Sequence, residues 1–148
     1  MTLADEEATA RLGACIGRGL GVGDAVLLEG ELGAGKTVLA RAILRSLGVT
    51  EYVPSPSFTL VQAYETRGPS IRHFDLYRIE REAEIEELGL DEALGEGAVL
   101  IEWPDRARAR MPGNALSVRL ETAGPTARRA RIAGPARWRA AFEGIGVS

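Results

Sequence analysis

Between residues 30 and 37 the chain reads Gly30-Glu31-Leu32-Gly33-Ala34-Gly35-Lys36-Thr37, a mismatch-free fit to the phosphate-loop pattern G-x-x-x-x-G-K-[ST]. Each fixed position has a physical reason. Glycines let the backbone curl so that successive N–H groups point inward at phosphate oxygens. A helix starting at the lysine aims its positive end at the same anion. Lys36 supplies a mobile point charge for the outer phosphates, and the Thr37 hydroxyl is a magnesium ligand. With 18 glycines in the chain, two glycines and a hydroxyl residue would fall around the one lysine by chance with a probability of about 0.001.

The flanks agree with that reading. Ala25-Val26-Leu27-Leu28 is an apolar run that predicts a buried strand ending at Glu29-Gly30. From Lys36 to Leu47, Leu39, Ile43 and Leu47 form one helical stripe, with Arg41 and Arg45 expected to face out and Gly48 to close the helix. Upstream, Leu12, Ile16 and Leu20 predict a short helix over Thr9–Leu20.

Downstream, Val53-Pro54-Ser55-Pro56-Ser57-Phe58 is a proline-stiffened loop. Strands are expected at Thr59–Tyr64 and Ile71–Leu76, joined by a turn around Arg67-Gly68-Pro69. An acidic helix, Glu82–Leu88, is capped by Gly89. Ala98-Val99-Leu100-Ile101 is a second fully apolar run and predicts a central strand ending at Glu102-Trp103-Pro104. Strands at Leu116–Leu120 and Arg128–Ile132 and a helix near Pro135–Phe142 complete the order. This alternation implies an α/β fold, a P-loop NTPase-like three-layer sandwich with a mixed central sheet flanked by helices, in one domain spanning residues 1–148.

Composition narrows the function classes. The chain has 148 residues and a net charge of −3, which argues against broad nucleic-acid binding through phosphate neutralisation. No apolar run reaches the length of a membrane span. The start, Met1-Thr2-Leu3-Ala4-Asp5-Glu6-Glu7, is acidic and unlike a secretory signal, and Cys15 is alone, so a cytoplasmic protein without membrane association is expected. Of 18 basic residues only Lys36 is lysine. Glutamates crowd residues 80–92 and arginines crowd 106–110 and 128–139; such runs are usually solvated faces, with the acidic helix the candidate for docking a partner.

A phosphate loop needs a carboxylate at a neighbouring strand end, to hold magnesium directly or through water. Glu102 and Asp75 both end expected strands, and both strands are expected beside the loop strand. Either acid could serve. Trp103, taken alone, is more often packing than chemistry. His73 alternates with Phe74 and is read as packing. Ser55, Ser57 and Thr59 sit where nucleotide hydrolases keep a segment that senses the third phosphate, though an ordinary turn would look the same.

Several blocks now occur in order: Leu28–Thr37, Ser55-Pro56-Ser57-Phe58-Thr59-Leu60-Val61, His73-Phe74-Asp75-Leu76-Tyr77-Arg78, Glu87-Leu88-Gly89-Leu90 and Leu100-Ile101-Glu102-Trp103-Pro104. Together they resemble the TsaE (YjeE) family, the small ATPases of bacterial tRNA threonylcarbamoyladenosine (t6A) biosynthesis. The match runs from about Asp5 to Pro112, with Ala127–Arg131 still family-like. The phosphate loop is shared by many families; the Phe-Asp-Leu-Tyr-Arg and Ile-Glu-Trp-Pro blocks are far more specific. Position 57 is commonly threonine in the family, and Ser57 keeps the hydroxyl.

The resemblance implies slow hydrolysis of ATP with magnesium, in concert with the TsaB–TsaD pair that modifies the adenosine next to the anticodon, so that tRNA is met only through the complex. It implies nucleotide contacts from Leu32, Gly33, Ala34, Gly35, Lys36 and Thr37, with Glu6 from the N-terminal segment and Arg128 from the tail. Thr37 and Glu102 would surround the metal, and Asp75 and Trp103 match positions important for activity. The expected chemistry is in-line attack by water on the terminal phosphorus, with Lys36 and loop amides stabilising charge and Asp75 or Glu102 ordering metal and water. Two rivals stand: a P-loop small-molecule kinase, with the arginines at 106–110 as its lid, and a nucleotide-gated interaction module with negligible turnover.

Overall fold

The computed structural model describes residues 1–31 and 33–143. One seven-stranded sheet runs through the molecule in the order β1-β7-β6-β2-β5-β4-β3. Its strands are β1 (Thr2–Leu3), β2 (Ala25–Glu29), β3 (Val61–Tyr64), β4 (Ser70–Asp75), β5 (Gly97–Glu102), β6 (Leu116–Thr122) and β7 (Arg128–Ala133). The centre, β6-β2-β5-β4, is parallel. β7, β1 and β3 pair antiparallel at the two edges. The sheet is therefore mixed, as expected, and helices cover both faces.

The two-residue alternation of a strand sorts the core. Val26 and Leu28 of β2, Ala98 and Leu100 of β5, and Ile71 of β4 pack under α1 (Glu6–Gly19) and α2 (Lys36–Ser46). Ala25, Leu27, Val99, Ile101 and Phe74 face the other way, under α3 (Glu84–Glu87), α4 (Leu90–Glu96) and a 3₁₀ segment at Pro104–Arg110. All six β5 residues are buried, as a strand covered on both faces requires. α5 (Arg137–Glu143) packs Trp138 against the first layer.

Helix α1 begins earlier than its apolar rhythm indicates. The Asp5 carboxylate accepts the Ala8 N–H at 2.9 Å, an N-cap that brings Glu6 and Glu7 into the first turn. Periodicity does not register a cap. Gly13 and Gly17 face α2, where a Cβ would meet Ala42 and Ser46. A Cβ on Gly13 would sit 2.5 Å from Ala42 Cβ and 2.8 Å from the Ala42 carbonyl carbon. Backbone cannot swing aside. Gly13→Ala should therefore lower unfolding free energy by about 1–3 kcal/mol through overpacking, outweighing the roughly 1 kcal/mol gain in helix propensity. Urea denaturation checks this; an unchanged or raised midpoint would show the helices free to part.

Other expectations shift in detail. The acidic helix shrinks to the single turn α3, and Gly89, at φ +83°, starts α4, which the sequence reading lacks. β3 begins at Val61, two residues late, because Leu60 holds φ +69° with its N–H on Pro56 O. Arg41 and Arg45 do not simply face out: Arg41 Nε donates to Val53 O at 2.6 Å, and Arg45 reaches Val49 O and Glu51 O, anchoring the loop that follows α2. The helix expected near Pro135–Phe142 is α5, shifted by two residues at its start.

Candidate nucleotide site

The parallel register brings three strand ends together. Leu28 of β2 lies opposite Glu102 of β5, and Asp75 of β4 lies opposite Glu102 on the other side. The loop after β2 rises at this edge, where open α/β sheets place their ligands. The expectation that both acidic strands flank the loop strand needs correcting. Only β5 does so; β4 is one strand further out, because β5 is inserted between them.

Two glycines make the loop possible. Gly30 leaves β2 at φ +136°, and a Cβ there would lie 2.4 Å from Leu120 O. Gly35 caps α2 at φ +103°, a left-handed position that any Cβ would strain. Lys36 then opens the helix. Its Nζ donates to Gly30 O at 2.5 Å and Glu31 O at 3.0 Å and lies 4.2 Å from the centre of the Trp103 ring. Lys36 is only 5% exposed, and burial pulls its ammonium pKa below the ordinary value against the opposing charges of Glu102, Asp75 and Glu31.

Trp103 holds φ +59°, a conformation uncommon for a bulky side chain, and stacks at a tilt on Tyr77 with centroids 4.9 Å apart. The next turn is pinned by Arg108, which pairs with both Glu29 and Asp105, while Ser117 Oγ donates to Glu29 at 2.6 Å. Burial pushes the Glu29 carboxyl up, but these hydrogen bonds and the charges of Arg108 and Arg119 outweigh it and hold it below the usual carboxylate range. Arg110 pairs with Glu86, and Arg106 lies over Tyr77.

Thr37 Oγ1 lies 3.2 Å from each oxygen of Glu102. Asp75 is turned toward the loop after α2: its Oδ2 accepts from Ser57 at 3.3 Å and Ser55 at 3.5 Å, and its Oδ1 from the Tyr77 N–H at 2.9 Å. Glu102 and Asp75 are 3% and 4% exposed. These groups line a cavity of about 250 Å³ that also touches Gly33, Gly35 and Trp103. Beside it, a second cavity of about 370 Å³ is walled by Glu6, Thr9, Val38, Leu120 and Thr126. Arg128 borders both, with Nε on Ala34 O at 3.1 Å and a terminal nitrogen on Gly33 O at 3.3 Å. A charged chamber thus lies beside a more apolar one, with Gly35, Val38 and Arg128 lining both.

The oxygen donors suit a hard cation. Hydroxyl and carboxylate are what magnesium takes, with phosphates and water completing its shell. Among the described residues no group of three or more His, Cys, Asp and Glu forms a cage of its own.

A phosphate loop running from a buried parallel strand into a helix, with an acid at the end of the adjacent strand, defines a P-loop nucleotide-binding protein. A family model described as "Threonylcarbamoyl adenosine biosynthesis protein TsaE" matches residues 3–130. The chain belongs to this family. A Rickettsia felis protein named tRNA threonylcarbamoyladenosine biosynthesis protein TsaE is 39% identical over 122 residues, 82% of this chain and 71% of the relative. The Mycobacterium tuberculosis protein of that name is 37% identical over 129 residues, 81% and 77% of the two chains. The crystal structure of Bacillus subtilis YdiB aligns with a TM-score of 0.78 at 28% identity, over 98% of this chain and 91% of that one.

The structure brings Lys36, Thr37, Asp75, Glu102, Trp103, Gly33, Gly35 and Arg128 around the first cavity, and Glu6 and Ala34 around the second. Leu32 lies outside the described residues. Thr59 leaves the group; its hydroxyl accepts from Gln62 at 3.1 Å instead of meeting Asp75. His73 is the functional candidate that sequence reasoning missed. It is buried, as packing requires, but its Nε2 lies 2.6 Å from Glu102 Oε2. The spacing His73–Asp75 puts both residues on one strand face, a signal for the ring's side, while its partner follows only from the β4–β5 register.

Proposed function

We propose that this chain binds ATP with magnesium and hydrolyses it to ADP and phosphate in the t6A modification of tRNA, acting in the cytoplasm with TsaB and TsaD. Family membership and the names of the relatives support the pathway. The observation that carries the nucleotide reading is the pair of neighbouring cavities sharing Gly35, Val38 and Arg128, with Lys36, Thr37 and Glu102 in one and apolar Val38 and Leu120 in the other.

In this reading Lys36 leaves the loop carbonyls for the outer phosphate oxygens, which form stronger, charge-assisted bonds. Thr37 and Glu102 would hold the metal, which when bound would supply charge neutralisation at the outer phosphates. Asp75, with Ser55 and Ser57, would order the attacking water and take up its proton as the water oxygen bonds to the terminal phosphorus and the bond to ADP breaks. Arg128 and Glu6 border the nucleoside end.

Against the kinase reading, Arg108 and Arg110 are engaged with Glu29, Asp105 and Glu86, and Arg106 lies over Tyr77, so these arginines are structural props more than a lid. Phosphate release from ATP, measured alone and with TsaB–TsaD, tests the proposal. Turnover above background that rises with the partners is expected. Transfer of phosphate to an added acceptor would favour the kinase, and tight binding without turnover under either condition would favour the interaction module.

A further inference from the structure

The geometry points to His73 as the positioning residue for Glu102: its Nε2–H fixes the carboxylate so that the free oxygen edge and Thr37 Oγ1 present one oxygen-lined seat for the metal of a bound nucleotide. This rests on the ATP–magnesium reading and adds a residue to it.

His73 pairs with Leu100 across β4 and β5, so Glu102 is its diagonal neighbour on the same face. Diagonal positions are about 7–8 Å apart, beyond short side chains and within reach of a ring such as imidazole. The contact is 2.6 Å long, with side chains 0% and 3% exposed. An ionised carboxylate has no proton to give, so the hydrogen in this bond belongs to Nε2. Among the described residues, the only other side-chain donor to Glu102 is Thr37, itself a candidate ligand. Asp75 cannot help, because it is another acid, directly across the register from Glu102. Lys36 is held by Gly30 O and Glu31 O. His73 is thus the one fixed donor behind the acid.

The other ring nitrogen explains why this residue looks wasteful as packing. His73 Nδ1 is buried with no hydrogen-bond partner. A histidine selected for filling space beside Ile71 and Leu100 would be better replaced by leucine, which leaves no buried polar atom unsatisfied. What the ring supplies against that cost is the Nε2 contact with Glu102. Metal-bound groups are commonly oriented by such outer partners.

The test uses the whole chain and ATP titrations by calorimetry, in magnesium and in EDTA, on wild type, His73→Leu, His73→Asn and His73→Gln, with melting curves confirming cooperative folding. The magnesium-dependent gain in ATP affinity should fall by roughly 10–100-fold in His73→Leu and His73→Asn, while affinity in EDTA stays within about twofold. His73→Gln, whose terminal amide can reach Glu102, should recover most of the gain. A folded His73→Leu or His73→Asn with the full gain overturns the inference. So does equal loss in EDTA, which would make His73 a packing residue. Should wild type itself bind ATP no better with magnesium, the ATP–magnesium reading falls first and takes His73's role with it.

Discussion

Lys36→Ala should cut ATP turnover by a factor of roughly 10²–10³ or more, the loss expected when one preorganised donor to developing charge is removed. The position offers no substitute. Arg128 is committed to Ala34 O and Gly33 O, and Arg108 to Glu29 and Asp105. Lys36 is also the chain's only lysine. Lys36→Arg should rescue little, because a planar guanidinium cannot replace a compact ammonium lodged 4.2 Å from the Trp103 ring centre. Phosphate release at saturating ATP measures the effect, with calorimetry separating lost binding from lost chemistry. Near-normal hydrolysis by Lys36→Ala would remove the basis of the proposed mechanism.

Glu102→Gln and Asp75→Asn should both impair turnover, but in different ways. Glu102 is the acid beside Thr37, at 3.2 Å from its hydroxyl, whereas the oxygens of Asp75 meet Ser55, Ser57 and the Tyr77 N–H. Glu102→Gln should raise the magnesium needed for half-maximal activity by more than about 100-fold, exceeding what loss of an outer partner costs. Asp75→Asn should lower kcat by about 10²–10⁴-fold, the usual range for a positioned acid–base group, while shifting the magnesium requirement far less. Magnesium titrations of steady-state rate distinguish the two. If Asp75→Asn shifts the magnesium requirement and Glu102→Gln does not, the two roles are exchanged.

Much of this architecture is legible in the residues because local patterns carried it. The runs Ala25–Leu28 and Ala98–Ile101 are apolar on both faces and became the central strands β2 and β5. The loop glycines and the α2 stripe specify the strand–loop–helix unit within 20 residues or so of chain. What escaped was non-local or capped. Strand order is absent from periodicity, so β4 was placed beside β2 when β5 lies between them. β1 is two residues long, too short to show a period. α4 offers only Leu90 and Ala93 as buried residues, and Gly95 weakens its helical signal. His73 looked like core because it is core. That it is also bonded to Glu102 depends on the β4–β5 register, which single-strand alternation cannot supply.

The insertion of β5 between β2 and β4 has a consequence for biosynthesis. Translation delivers Val61–Glu96 before Gly97–Glu102, yet β4 has no direct seat beside β2. Until the later strand emerges, the β3–β4 hairpin can pair only with itself, and an isolated two-stranded hairpin is marginal in water. Ile71 and Phe74, fully buried in the finished protein, are then uncovered on a growing polypeptide. The middle plank arrives after its neighbours on both sides, so the newborn chain passes through a sticky interval that ends only when Ala98–Ile101 slots into place.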